Sequence, residues 1–241
     1  MEIVKNRDIF ESDLKYPEDF INKIICGDCL ELMKLIPKNS IDVVLTDPPY
    51  GLRKYAIRGD ADLNLFYDVL SESDRVLKDN SFFITFFSTK FLPQLFKNNP
   101  FNYFWQIILY CPEGRVKSPI GYTKFMSCFI FKKGEPKIIQ WNKDIFIDTP
   151  GKMVEPDEGY IDHPTPKPKH FIKEILRMFT KDNDLILDPF LGSGSTAVAC
   201  IQLGRRFIGF EIEEKYYKIA LERVQWALGS TVKEPGNTIR I

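Results

Sequence analysis

Apolar and polar residues along this chain fall into two kinds of block. Short, nearly continuous apolar runs occur at 23–28, 41–45, 81–87, 104–110, 125–131, 184–190 and 205–212. Runs of that length predict strands covered on both faces, as in the centre of a parallel sheet. Between them lie stretches with helical spacing, at 29–37, 62–78, 89–98, 169–180, 196–204 and 213–229. Leu30, Met33 and Leu35 set the first of these and Pro37 closes it. Asp62 is placed to cap the second, Pro93 sits in the first turns of the third, and Gly204 ends the fifth. Residues 111–124 are rich in Pro and Gly and predict a loop. Residues 134–162 have no period and carry Pro136, Pro150 and Pro156, so an irregular insert is expected. Residues 1–22 read as a covering arm and 230–241 as a loosely held tail.

Strands alternating with helices predict an α/β fold, a mostly parallel, doubly wound sheet in a single domain. The 241 residues are long enough for one large core, and 44% of them are hydrophobic. Lys+Arg and Asp+Glu are both 33, so overall charge does not argue for a nucleic-acid partner and any basic surface must be local. Five cysteines without regular spacing predict a reduced, cytoplasmic setting rather than a disulfide framework. No stretch has transmembrane length and the first residues are polar and mixed in charge, so no membrane partner is expected.

In sheets of this kind ligands bind beyond the carboxyl ends of the strands. Asp28, Asp47, Asp188 and Glu211 all fall at or near predicted strand ends. Each could be a plain turn former; four on one edge imply a site. The segment DPFLGSGSTA, from Asp188 to Ala197, follows a strand and opens a helix, and Gly192 and Gly194 permit close approach of a ligand. Gly192 to Ala197 also fits the loose dinucleotide pattern G-x-G-x-x-A, with Glu211 about twenty residues on. A nicotinamide enzyme is therefore a rival. Asp188 weighs against it, because a carboxylate beside the turn repels a pyrophosphate. S-adenosylmethionine has no phosphate and carries a sulfonium, an ammonium and two ribose hydroxyls. Asp188 suits the cationic methionine end, Glu211 the ribose hydroxyls and Asp28 the adenine amino group.

The apolar run at 41–45 leads into Asp47-Pro48-Pro49-Tyr50. An exocyclic amine on a base is a poor nucleophile, because its lone pair is delocalised. Asp47 and the carbonyl of Pro48 can each accept one of its N–H groups, and the carboxylate stabilises charge that develops on nitrogen. The prolines stiffen the corner, and Tyr50 offers a face for a base flipped out of the duplex. On these residues the chain resembles a beta-class DNA amino-methyltransferase. In that class the catalytic tetrad precedes the glycine motif, a circular permutation of the usual order within a Rossmann-like methyltransferase fold. The class also has a His-Pro-Thr-x-Lys-Pro segment, here His163 to Pro168, with Pro166 where Gln is common. The resemblance implies that Thr165 and Lys167 hold the methionine carboxylate. It further implies that Asp47, Pro189, Phe190 and Ser193 border the cofactor, Phe190 as a wall of its pocket.

It implies S-adenosylmethionine as cofactor and double-stranded DNA as substrate. A homodimer and a cognate restriction endonuclease are the further partners it suggests, and adenine is favoured over cytosine by the Asp that opens the tetrad. Residues 23–133 would form the catalytic half, 163–229 the cofactor half, and 134–162 a candidate target-recognition segment. Arg53, Lys54 and Arg58 after the tetrad, and Arg115, Lys117 and Lys124 in the second loop, are candidate phosphate contacts. Cys26-Gly27-Asp28-Cys29 matches C-x-x-C but has no second pair, so no metal is expected; a thiol redox role is the weaker alternative to small residues flanking Asp28. Cys111-Pro112 is not the Pro-Cys nucleophile of ring-carbon methylation. Two histidines, His163 and His170, leave little basis for a histidine metal site.

Overall fold

The computed structural model describes residues 14–49, 63–112, 114, 116–147, 154–155, 159–163 and 166–231. Its strands are β1 (Lys23–Cys26), β2 (Ile41–Thr46), β3 (Leu77–Phe87), β4 (Asn102–Tyr110), β5 (Val116–Ser118), β6 (Gly121–Thr123), β7 (Phe125–Lys133), β8 (Ile145–Ile147), β9 (Val154–Glu155), β10 (Gly159–Tyr160), β11 (Leu185–Asp188) and β12 (Arg206–Glu211). The helices are α1 (Cys29–Lys34), α2 (Asn64–Val76), α3 (Leu92–Phe96), α4 (Lys169–Phe179), α5 (Ser195–Gln202) and α6 (Glu214–Thr231).

Eight strands form one sheet in the order β1-β12-β11-β2-β3-β7-β4-β8. Every neighbouring pair is parallel except those made by β7, which runs against both β3 and β4. The doubly wound, mostly parallel sheet expected from the alternation of blocks is the one observed. Successive residues of a strand face opposite sides, so each apolar run feeds two cores. Val43 and Leu45 of β2 pack with Phe171 and Ile175 of α4, Ala197 and Val198 of α5, and Ala220 of α6. Val44 packs on the other side with Leu32 of α1, Phe66 and Leu70 of α2 and Leu95 of α3. Each such side chain contributes about 1.5–3 kcal/mol on burial.

The glycine-motif strand β11 lies beside the tetrad strand β2, with Ile186 opposite Val43 and Leu187 opposite Val44. From this line the chain winds outward both ways: to β12 and β1 on one side, to β3, β7, β4 and β8 on the other. A switch point of that kind opens a crevice at the carboxyl edge.

Three boundaries differ from the sequence expectation. The helix expected over 62–78 ends at Val76, because Leu77 joins the ladder opposite Ile41 and the Lys78 ammonium reaches Asp42 at 2.7 Å; Asp62, its expected cap, is outside the described residues. The insert 134–162 is not wholly irregular. Its β8 extends the main sheet beside β4, where the Ile108 N–H donates to the Asp144 carbonyl at 2.8 Å. Three residues are too few to show a period-2 signal. The Gly/Pro segment 111–124 contains the hairpin β5–β6, whose turn residues are Pro119 and Ile120.

Candidate active site

Strands β1, β12, β11 and β2 are adjacent and parallel, so their carboxyl ends line up and bring Asp28, Glu211, Asp188 and Asp47 to one edge. The four acids do not have equal surroundings. Asp28 caps α1, its Oδ1 accepting from the Leu30 N–H at 2.9 Å. Glu211 is buried; Oε2 accepts from the Gly192 N–H and Oε1 from the Glu213 N–H, each at 2.8 Å. Burial raises its pKa, and the two backbone donors partly offset this. Asp188 is deeper still. Its Oδ1 accepts from the Thr46 hydroxyl at 3.0 Å and the Phe190 N–H at 3.1 Å, tying β11 to β2. Burial pushes its pKa up to about 7 against hydrogen bonds from Thr196, Phe190 and Thr46 that favour the anion.

The glycine turn is held from behind. Gly192 has φ +56° and Gly194 has φ +86°, a region that side chains with a Cβ rarely adopt. A Cβ on Gly194 would stand 3.0 Å from the Ala220 Cβ, so this glycine lets α6 press against the turn. From α6 the buried Arg223 donates to the Ser193 carbonyl at 2.6 Å and to the Ser193 and Ser195 hydroxyls at 3.2 Å each. A Cβ on Gly192 would meet the His163 Nε2 at 3.2 Å. The His163 ring lies edge-on to Tyr216, centroids 4.5 Å apart, and burial, with Lys167 and Arg223 nearby, lowers its pKa to about 4. It is therefore neutral at physiological pH.

Asp47 follows β2 directly and is half-buried. Its Oδ2 accepts from the Lys167 ammonium, which also lies 5.2 Å from the centroid of the Phe86 ring. Its Oδ1 is buried with no hydrogen-bond partner among the described residues. A buried acceptor without a donor costs about 1–3 kcal/mol, more when charged, and persists where a ligand completes it. Chemically, the edge is a row of carboxylates that ends in one open oxygen. It suits a cationic, hydroxyl-bearing ligand and an N–H donor, and it disfavours phosphate: the Gly192 N–H that a pyrophosphate would use already serves Glu211.

A family model described as DNA methylase, of the N6/N4 type, matches residues 132–222. The putative methylase YubD of Escherichia coli K12 is 32% identical over 212 residues, spanning 85% of this chain and 90% of YubD. The chain belongs to the DNA methylase family. Two solved structures agree with its fold. The PvuII DNA methyltransferase, described as cytosine-N4-specific, aligns with TM-score 0.70 at 20% identity over 90% of this chain and 87% of its own. The M1.HpyAVI complex with SAM aligns with TM-score 0.66 at 23% identity over 83% and 98%.

Within this DNA methylase the structure brings together Asp28, Asp47, Pro48, Pro49, Lys167, Asp188, Pro189, Phe190, Gly192, Ser193 and Glu211 around one edge, with Gly194 beneath α6. The Lys167 ammonium pairs with Asp47, a contact the sequence reading did not include. Lys117 lies away from this row, exposed on β5. Tyr50, Arg53, Lys54, Arg58, Arg115 and Thr165 fall outside the described residues. The five cysteines are free thiols; Cys29 is buried and raised to about 12, mainly by burial, so it has little thiolate at neutral pH.

Sequence reasoning missed Arg223, Thr46 and the His163–Tyr216 pair. For Arg223 a signal existed: it interrupts the apolar stripe Tyr217, Ala220, Val224 and Ala227 of the last helix, all buried. A cation inside such a stripe needs a buried partner, here the glycine turn.

Proposed function

We propose that this DNA methylase transfers a methyl group from S-adenosylmethionine to the exocyclic amino nitrogen of a flipped base in double-stranded DNA, and that the base is adenine. The observation that carries it is Asp47, with one oxygen held by Lys167 and the other buried and unpaired among the described residues. That open oxygen is an acceptor waiting for an N–H. The target amine supplies one, with the Pro48 carbonyl taking the other. The rigid Pro-Pro corner fixes the nitrogen, and the carboxylate stabilises positive charge on it as the new bond forms. Tyr50 would stack on the base.

The residues fit S-adenosylmethionine. Glu211 has lone pairs to spare for ribose hydroxyls, Asp28 Oδ2 for the adenine amino group, and Phe190 forms an apolar wall. Asp188 adds negative potential for the methionine head from beneath the turn. Lys167 and Thr165 would hold the methionine carboxylate, so Lys167 would serve both that group and Asp47. When bound, this cofactor supplies an electrophilic methyl on sulfur. M1.HpyAVI, solved with SAM, supports that assignment through its shared fold. Adenine rests on the Asp of the tetrad, which the class links to N6 methylation. Arg53, Lys54, Arg58, Arg115 and Lys117 would contact phosphates, and 134–162 would share in target recognition.

The test is incubation with tritium-labelled S-adenosylmethionine and unmethylated DNA, followed by digestion to nucleosides. N6-methyldeoxyadenosine is expected. N4-methylcytosine would replace the base assignment, and no label in DNA would remove the function. Calorimetry should show binding of S-adenosylmethionine and none of NAD.

A further inference from the structure

Ile120 is the most exposed large apolar side chain among the described residues, at 99%. It occupies the second position of the two-residue turn between β5 and β6, after Pro119. Such turns favour Gly, Asn and Asp. A β-branched residue there serves neither turn geometry nor the core. The hairpin beneath it is firm. The Cys111 N–H donates to the Lys124 carbonyl at 2.6 Å and the Gly114 N–H to the Cys111 carbonyl at 2.8 Å. The Lys124 ammonium donates to the Pro112 carbonyl at 2.8 Å. Pro119 fixes its own φ, and Gly121, at φ +136°, permits the return. Between 116 and 124 the sequence has two lysines and no acid.

The hairpin leaves the carboxyl end of β4, which is parallel to β2, so it rises from the edge that carries Asp47. Three ladder steps separate β4 from β2. At roughly 4.8 Å each they put the hairpin base about 14 Å from Asp47, comparable to the roughly 12 Å width of the DNA major groove.

We propose that the β5–β6 hairpin is a wedge: Ile120 enters the base stack and fills the gap left by the base drawn out to Asp47, while Lys117 faces the neighbouring phosphates. This rests on the DNA-methylation reading above. An extruded base leaves an apolar hole, and inserted Ile, Leu or Phe side chains fill such holes in duplexes that are opened or kinked. A stiff, acid-free finger with an apolar tip loses little freedom on insertion and meets no repulsion from the backbone.

The test uses the full chain, tritium-labelled S-adenosylmethionine and unmethylated phage DNA, either duplex or heat-denatured. Ile120→Ser should lower duplex methylation at least tenfold, Ile120→Leu should restore it to within about threefold of wild type, and denatured DNA should be methylated by Ile120→Ser at a rate within about twofold of wild type. Circular dichroism should be unchanged in both variants, since the side chain is outside the core. The proposal is overturned if Ile120→Ser methylates duplex at the wild-type rate, if it loses duplex and denatured activity equally, or if Leu restores nothing. The Leu and Ser pair on duplex decides the matter even where denatured DNA is a poor substrate. Conversion of a dimer to a monomer by Ile120→Ser in gel filtration would assign the tip to a second copy of the chain instead. Absence of transfer by the wild type would sink the methyltransferase function itself, a different outcome from any of these.

Discussion

The two ends of the sheet edge are built in opposite ways. At β12 and β11 the polar groups are anchored by neighbours: Glu211 by Gly192 and Glu213, Asp188 by Thr46 and Phe190, and the turn by Arg223. From β2 to β4, groups are held ready but incomplete, namely the open oxygen of Asp47 and the bare side chain of Ile120. The difference teaches how the labour is divided. On the proposed reading a small cofactor would meet a preorganised cradle, which reduces the ordering cost of binding. A large substrate arrives with its own donors and stacking surfaces, so the protein leaves their partners unsatisfied.

Substitutions should separate the two ends, starting with the largest effect. Asp47→Ala should cut methyl transfer by roughly a hundredfold to a thousandfold while S-adenosylmethionine affinity, measured by calorimetry, changes little. Equal losses in both would merge the two ends. Gly194→Val forces a side chain into a left-handed backbone and into Ala220. It should lower unfolding free energy by about 2–4 kcal/mol in denaturant titration and abolish cofactor binding. Arg223→Met should leave the fold and the maximal rate largely intact but raise the cofactor Kd roughly tenfold, equivalent to about 1.4 kcal/mol, because the turn loses its rear support. A fall in rate without a change in Kd would place Arg223 at the catalytic end.

The smallest effect is on pH dependence. Asp188 titrates near 7 when folded and near 4 when unfolded, so the folded state holds more protons between these values. Its stabilising contribution is full below the unfolded value and is lost as pH rises through 7. His163 acts in the opposite sense. Its folded pKa is depressed to about 4, so its contribution is full above its ordinary value of 6.5 and is lost as pH falls through 4. Asp188→Asn removes the first and leaves the second. Its stability should therefore fall more steeply than that of wild type on acidification from pH 6.5 to 5.5, by about 1 kcal/mol. Parallel curves would contradict the burial of that carboxyl.

The centre of the fold was legible because it is buried on both faces. Between Asp42 and Thr46, and between Asp184 and Asp188, the strands carry only apolar residues, and Asp47 and Asp188 fall where the chain leaves the sheet. The switch point and the row of acids follow from this. The three-residue β8 and the three-residue strands of the hairpin were not legible, because β8 is set by backbone groups of β4, and β5 and β6 by each other, and none is long enough to carry a pattern of its own. Arg223 and Thr46 were hidden for another reason. Their partners lie 28–30 and 142 positions away; the apolar stripe around Arg223 marks it as buried but does not name its partner, and nothing local marks Thr46. Lys167 was recognised as a site residue, but its pairing with Asp47, 120 positions earlier, became visible only in the fold.

The Thr46–Asp188 bond spans 142 residues, and the β2–β11 ladder joins residues equally remote in sequence. During synthesis at about 5–20 residues per second, β2 therefore leaves the ribosome roughly 7–28 s before β11. Through that interval one margin of β2 has no neighbour, and β1 waits longer still for β12. The nascent chain thus carries two unpaired apolar strand margins until its last quarter emerges.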